Sequence, residues 1–468
     1  MEGDWRPRFG SSGIRGFVTE ELAPNDAWFL GTSIATVFKK SPILLCSDNR
    51  TSSPLLVHAL ASGLVAGGAL VILGGIVITP AVSLYVRHHQ ISTAVLVTGS
   101  HNSPQINGVE VLADDGAPVN RAIEQRIEEL ASNPPTPLPW DQQGTMTSVN
   151  DVGPFWVAQV NNLVNTSLIR RQNFRIAVDT CNGSAIPWLL NAIEGFGCQI
   201  LGINTKQDPR FPGRSPNLTV ELLGEVSRTV QENGCNLGVA VDGDGDRVFL
   251  IDEKGRILQG DVSGTIFARL ELERHGGGTI VTPINTSNVV EDMAREFNGT
   301  IVYSRIGPPA IVAKIKANNA IFGFEESGKA IYPHLNYLSD CGLATAHMLE
   351  YLAENNVRLS SLVDALPKYH QIKQSIDCPD ALKEVVVKHL IRVFKTDFPN
   401  AAFETMDGLK VVFDDGWLLL RPSGTEPKFK VFSESQYKPR AQALFQIGLN
   451  YLNETLRQHS KVKTKSGD

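Results

Sequence analysis

The sequence predicts an α/β protein: three similar α/β units in series, followed by a smaller α+β domain. Three observations carry this expectation. An apolar strand, a polar loop, a helix and a second apolar strand recur in that order at Pro42–Gly75, Arg175–Ile203 and Gly278–Ser304. A proline-rich stretch, SNPPTPLPWDQQG (Ser132–Gly144), closes the first unit. From about Tyr369 the layout changes to a helix (Ala381–Phe394), strands around Gly408–Leu420 and a last helix (Arg440–Gln458).

In each repeat the buried strand ends in a small or acidic residue before Ser, Thr or Asn caps a helix. The chain has 468 residues, and at roughly 100–200 residues per domain that length suggests about three or four domains. The boundaries drawn from linkers and turns give domains 1–144, 145–256, 257–368 and 369–460. The lysine-rich end, 461–468, is expected to be disordered.

Composition narrows the class. With 42% apolar and 20% charged residues the chain is that of an ordinary soluble globular protein. A net charge of −6 gives no reason to expect nucleic acid or an anionic membrane as partner. The longest apolar stretch, Ala66–Ile78, is broken by Gly67, Gly68, Gly74 and Gly75, and MEGDWRPRFG lacks a signal-peptide core. The six cysteines form no CxxC pair, so free thiols and a cytoplasmic location are expected.

Four loops carry chemistry-bearing residues. STAVLV (Ser92–Val97) reads as a buried strand, which puts Thr98–Asn102 at its C-terminal end, where open α/β sheets bind ligands. Ser100 is there either a nucleophile or a hydroxyl in an ordinary capping loop. In VAVDGDGDRVFLIDEKG (Val239–Gly255) a strand ends in Asp242, Asp244 and Asp246, hard oxygen donors that suit Mg2+ or Ca2+. An EF-hand is excluded because Arg247 stands where its glycine belongs and the flanks read as strands; a solvated acidic turn is the other alternative. IFGFEESGKAIYP (Ile321–Pro333) sets paired carboxylates beside a glycine turn, either to grip sugar hydroxyls or as a surface turn. In LLLRPSGTEPKFKVFSE (Leu418–Glu434) an Arg and a Ser–Gly–Thr turn form either a phosphate pocket or a plain hairpin.

TGSHN, DGDGDR, GFEESG and RPSGTEP follow in this order, one per unit, and FGSSGIRG (Phe9–Gly16) opens the chain. Together they closely resemble the α-D-phosphohexomutase family, over about Phe9 to Leu456. The resemblance implies mixed sheets in the three similar domains and an active-site cleft between all four. It implies that Ser100 is the phosphoryl carrier, with Mg2+ held by Asp242, Asp244, Asp246 and the Ser100 phosphate. Arg15 and Arg247 match the neighbouring cations, and His101 a positioning group. Glu325 and Ser327 match the sugar-hydroxyl ligands, Arg305 a basic sugar-site position, and Arg421, Ser423, Gly424 and Thr425 the grip on the non-reacting phosphate. The implied reaction interconverts hexose 1- and 6-phosphates through a hexose 1,6-bisphosphate, which also serves as activator. The implied partners are small hexose phosphates, with neither nucleic acid nor membrane.

Two departures matter. The family's NGxK lysine is replaced by Glu110, a carboxylate that repels phosphate but still moves a proton if burial raises its pKa. Lys329 stands where many relatives have His or Gly. It either restores the lost positive charge or is a solvated surface lysine. These departures keep open a weakly active sugar-phosphate-binding paralogue. A phosphatase is a further reading, while a Ser–His hydrolase is disfavoured by the absence of a GxSxG elbow. The EESG form leans toward phosphomannomutase/phosphoglucomutase, and FGSSGIRG keeps phosphoglucosamine mutase as the alternative.

Overall fold

A computed structural model describes residues 7–10, 12–39, 41–424 and 426–463. Its first three domains share one topology. In the first, strands Leu70–Ile76, Pro42–Ser47, Thr93–Val97 and Ile106–Ala113 lie side by side; the first three run parallel and the last returns antiparallel. Gln199–Ile203, Arg175–Asp179, Leu237–Val241 and Val248–Asp252 repeat the arrangement. Gly299–Ser304, Gly278–Pro283, Phe322–Glu325 and Lys329–Ile331 repeat it again. The recurring sequence pattern is therefore a recurring parallel strand–helix–strand unit, and the sheets are mixed. The central strands Thr93–Val97 and Leu237–Val241 are buried throughout, as parallel strands covered by helices on both faces must be.

Two boundaries move. Thr145–Ser148, assigned to the second domain from the linker, pairs with Leu70–Leu73 and forms the edge of the first sheet. Ile257–Leu258, assigned to the third, pairs with Leu250–Ile251 in the second sheet. In both places the chain keeps hydrogen bonding to the old sheet after its turn signal, and composition does not register that.

The fourth domain is a five-stranded antiparallel sheet in the order His370–Asp377, Lys428–Ser435, Gly416–Pro422, Leu409–Phe413, Ala402–Glu404. Helices Asp380–Asp397 and Lys438–Lys463 accompany it. The last helix runs past the expected end at Gln458 and takes in residues 461–463 of the segment expected to be disordered. Residues 464–468 lie outside the described ones.

Apolar packing is continuous through the first three domains, from Leu44 to Leu362. The fourth has its own core around Val386, Leu390, Phe394 and Leu418. All six cysteines are free and buried. Among the described residues no helix is long and apolar enough to cross a membrane.

Candidate active site

The shared topology explains why three of the four loops converge. Thr98–Gln105, Asp242–Arg247 and Glu326–Gly328 each connect the third parallel strand of their sheet to the antiparallel fourth. They are equivalent positions in three copies of one fold. The fourth loop lies between the antiparallel strands Gly416–Pro422 and Lys428–Ser435, so it is the turn of a hairpin.

Ser100 is buried and held at φ 47°, in the left-handed region that a non-glycine residue adopts only when its surroundings impose it. The surroundings are Asp48 and Arg50, which the sequence reading did not single out. Asp48 Oδ2 accepts from Gly99 N at 3.0 Å and Thr98 Oγ1 at 3.0 Å. Arg50, buried beside it, donates to Asp48 and to the carbonyls of Ser100 (2.8 Å), Asn102 (2.7 Å) and Ser103 (2.6 Å). A guanidinium with several fixed donors can hold three carbonyls in one rigid turn; an ammonium cannot match that geometry.

Ser100 Oγ lies 3.4 Å from Asp242 Oδ2 and 3.3 Å from His101 Nδ1. The backbones of the two loops touch: a Cβ at Gly243 would fall 2.8 Å from Ser100 O. Asp242, Asp244 and Asp246 each offer a carboxylate oxygen within 4.8 Å of the others, and all three are buried. Thr79 and Thr98 fix Asp244 Oδ2 at 2.7 and 2.9 Å. Asp244 Oδ1 and Asp246 Oδ1 are buried with no hydrogen-bond partner among the described residues. An all-oxygen donor set with orphaned anionic atoms fits Mg2+. Burial, then the charges of Asp246 and Asp244, pushes Asp242 well up; burial, then Asp246 and Glu110, pushes Asp244 up to about 6. Metal-free, this is an acidic cluster that resists full ionisation.

Two cations oppose that charge. Arg247 Nε is 3.7 Å from both Asp242 Oδ2 and Asp246 Oδ1. Lys329, from the third domain, places Nζ 2.7 Å from Asp246 Oδ2. Its side chain is only 7% exposed, which overturns the solvated-lysine reading. Burial opposes charge on both partners, but Lys329 and Arg247 outweigh it and hold Asp246 below its usual range. Asp246 and Glu325 likewise keep Lys329 charged against burial. His101 is pushed down to about 3, by burial first and then by Arg247, with Lys329 and Arg15 adding to it.

Glu110 pairs with Arg15. The carboxylate at the lysine position therefore engages a cation expected to serve phosphate.

In the third loop the two carboxylates part company. Glu326 pairs with Lys373 of the fourth domain; Glu325 is half-buried, its pKa raised by burial against Lys329 and Arg247. Ser327 Oγ is buried without a partner among the described residues. Arg305 is exposed and donates to Met406 O at 2.6 Å, so its guanidinium braces the fourth domain. Arg421 Nε donates to Asp407 Oδ2 at 2.8 Å, and Asp407 also receives Ile306 N at 3.0 Å. Lys383 holds the carbonyls of Ser423 and Glu426 at 2.5 and 2.6 Å. Gly424 has open space where a side chain would stand. Thr425 lies outside the described residues.

Arg214 also escaped the sequence reading. It pairs with Asp179 at 2.7 Å and donates to Val241 O at 2.6 Å, fixing the strand that delivers Asp242. An aspartate at the end of the preceding parallel strand, as Asp179 is, or just past it, as Asp48 is, is the signal the sequence offers for such supports.

Comparison with known proteins matches the chain in four successive segments. Residues 6–136, 154–255 and 259–369 match the alpha/beta/alpha domains I, II and III of phosphoglucomutase/phosphomannomutase, and 354–446 its C-terminal domain. A phosphoglucomutase/phosphomannomutase of Thermococcus kodakarensis is 33% identical over 455 residues, covering 96% of this chain and 99% of that protein. A probable phosphoglucosamine mutase of Methanopyrus kandleri is 32% identical, covering 93% and 95%. The crystal structure of a phosphoglucomutase/phosphomannomutase family protein from Burkholderia thailandensis superposes with TM-score 0.86 at 25% identity, covering 97% and 98%.

Proposed function

The chain belongs to the phosphoglucomutase/phosphomannomutase family and is a phosphohexomutase, and from that premise we propose that it interconverts hexose 1-phosphate and hexose 6-phosphate through a phosphoserine at Ser100. The observation that carries the proposal is the placement of Ser100 Oγ against Asp242, within an aspartate triad that has two orphaned oxygens.

In this reading the Ser100 phosphoryl group passes to a sugar hydroxyl oxygen. The Oγ–P bond breaks as the sugar O–P bond forms, and the hydroxyl proton ends on Ser100 Oγ, to return to the freed sugar oxygen in the second transfer. The hexose 1,6-bisphosphate turns over in the cleft, and Ser100 Oγ takes the phosphoryl group from the other oxygen; added bisphosphate acts as activator by phosphorylating Ser100. Asp242, Asp244 and Asp246 would hold Mg2+, which when bound neutralises charge on the transferring group. Arg247 and Lys329 stand beside the same carboxylates. We assign Lys329 the positive charge that Glu110 has removed. His101, uncharged, positions Ser100. Glu325 and Ser327 bind sugar hydroxyls in either orientation. Arg421, Ser423, Gly424 and Thr425 grip the phosphate that is not reacting and orient the end that is.

The EESG form of the sugar loop keeps phosphoglucomutase/phosphomannomutase activity as the first reading and phosphoglucosamine mutase as the second; the relatives named above carry one name of each kind and do not choose between them. The weakly active paralogue is disfavoured by the triad, because a protein without the reaction has no physical need of three buried carboxylates facing one another. The test is peptide mass spectrometry after incubation with Mg2+ and glucose 1,6-bisphosphate. The proposal expects one phosphoryl group, on Ser100, which is discharged by hexose 1-phosphate. A phosphoryl group elsewhere, or one that no hexose phosphate removes, contradicts it.

A further inference from the structure

The fourth domain meets the third through a small apolar contact of Ile284, Trp417, Leu419 and Phe432. Across that contact one cation reaches the sugar loop. Lys373, on strand His370–Asp377, pairs with Glu326, and its Nζ lies 3.9 Å from Asp261 Oδ2. The strand of Lys373 is hydrogen-bonded along its length to Lys428–Ser435, the strand that leaves the phosphate loop. Lys373 is thus rigidly tied to Arg421 and Ser423 on one side and to Glu326 on the other.

Glu326 sits between Glu325 and Ser327, so whatever holds it sets where those two point. The loop has little freedom elsewhere. A Cβ at Gly260 would fall 2.0 Å from Glu326 O, so helix Gly260–His275 presses on its backbone. Gly328 O accepts from Val248 N of the second domain at 2.9 Å, and Lys329 holds Asp246. Four consecutive residues are gripped by the metal-loop domain at one end and by the fourth domain at the other.

We propose that Lys373 is a positioning residue that ties the sugar-binding groups Glu325 and Ser327 to the fourth domain, so that seating the non-reacting phosphate and presenting the hydroxyl ligands are one movement. This rests on the mutase reading of the site. The side chains of Lys373 and Glu326 are 36% and 26% exposed. A pair that open to water contributes little to holding the fold, so its loss reads out in substrate binding.

The test is calorimetric titration of the full chain with inorganic phosphate and with the 6-phosphates of glucose, mannose and glucosamine. The proteins are wild type, Lys373→Met, Lys373→Arg, Glu326→Gln and the Met/Gln double variant. Lys373→Met is expected to weaken the best sugar phosphate about fivefold and to leave inorganic phosphate within about twofold. In turnover KM rises and kcat moves less. Lys373→Arg restores binding, and the double variant is no weaker than either single, because both remove one link. If Lys373→Met fails to fold, Glu326→Gln carries the same comparison. The proposal is overturned if sugar phosphate and inorganic phosphate weaken together, if the losses add in the double variant, or if neither changes. A wild type that turns over no sugar phosphate instead removes the mutase reading, and this proposal with it.

Discussion

Lys329 Nζ and Asp246 Oδ2 stand 2.7 Å apart, from different domains and both almost wholly buried. The pair joins the loop expected to bind sugar to the loop expected to bind metal. Its energetic weight is in the charge it neutralises: Asp246 shares a small volume with Asp242 and Asp244.

Replacing Lys329 with Met strands that charge. Breaking a buried pair by removing one partner costs about 3–5 kcal/mol. We expect the melting temperature of Lys329→Met to fall most in EDTA and to recover in part with saturating Mg2+, because a bound cation replaces the lost one. Turnover should fall at least about tenfold, the effect of one lost electrostatic contact to a transferring phosphoryl group. Near-normal turnover in Lys329→Ala would contradict the charge-replacement role.

His101 is expected to stay neutral. Its folded pKa is near 3, against 6.5 for the ordinary imidazole. Nitrogen NMR of the unphosphorylated protein should therefore show no titration of His101 between pH 5 and 8. Between pH 3 and 6.5 the unfolded state binds the extra proton, so His101 lowers stability as pH falls through 6.5. His101→Gln should flatten that slope; a midpoint near 6.5 in the folded protein would refute the expectation.

Asp261 behaves in the opposite sense. Burial raises its carboxyl from 3.8 to about 7, with Lys373 offsetting in part and Glu326 and Glu434 adding, while Ser287 donates to it. Between those values the folded state holds a proton that the unfolded state has lost. Its contribution to stability is present at low pH and is lost as pH rises through 7. Asp261→Asn should lose less melting temperature than wild type between pH 5 and 8. Equal losses in the two proteins would show that Asp261 titrates normally.

Arg50→Met removes the buried cation from Asp48 and the donors from three carbonyls. We expect a loss of about 3–5 kcal/mol in denaturant unfolding. The Ser100 loop should also become sensitive to proteolysis, since three of its carbonyls lose their guanidinium donor. Unchanged unfolding and unchanged proteolysis would mean that Asp48 and the backbone suffice.

The parts of this site that are contiguous in sequence are legible there. Ser100–His101, Asp242–Asp246 and Glu325–Ser327 each sit in one short run, and a run can be compared with a known pattern. The repeated strand–helix–strand units are legible because burial imposes the same apolar strand each time. What stays hidden are supports whose partners lie far along the chain. Arg50, Arg214 and Lys373 read as ordinary charged residues until the fold brings them to Ser100 O, Val241 O and Glu326. Arg15 and Glu110 are 95 residues apart in sequence, and the antiparallel pairing of Ile14–Phe17 with Ile106–Val109 is what makes them a pair. Thr145–Ser148 hid for a related reason: its four residues are all exposed and carry no buried-strand signal.

Phosphorus NMR of the purified protein tests the central claim most directly. Mg2+ and a trace of glucose 1,6-bisphosphate would be added to separate samples of glucose, mannose and glucosamine 1-phosphate, with Ser100→Ala in parallel. The account predicts that a hexose 6-phosphate resonance grows in at least one sample and that Ser100→Ala is silent, the fastest sugar naming the substrate. A steady rise of inorganic phosphate in place of the 6-phosphate would mean hydrolysis. No change in any sample, from a folded protein with phosphate on Ser100, would contradict the account and leave a sugar-phosphate-binding protein in which Glu110 has ended the reaction.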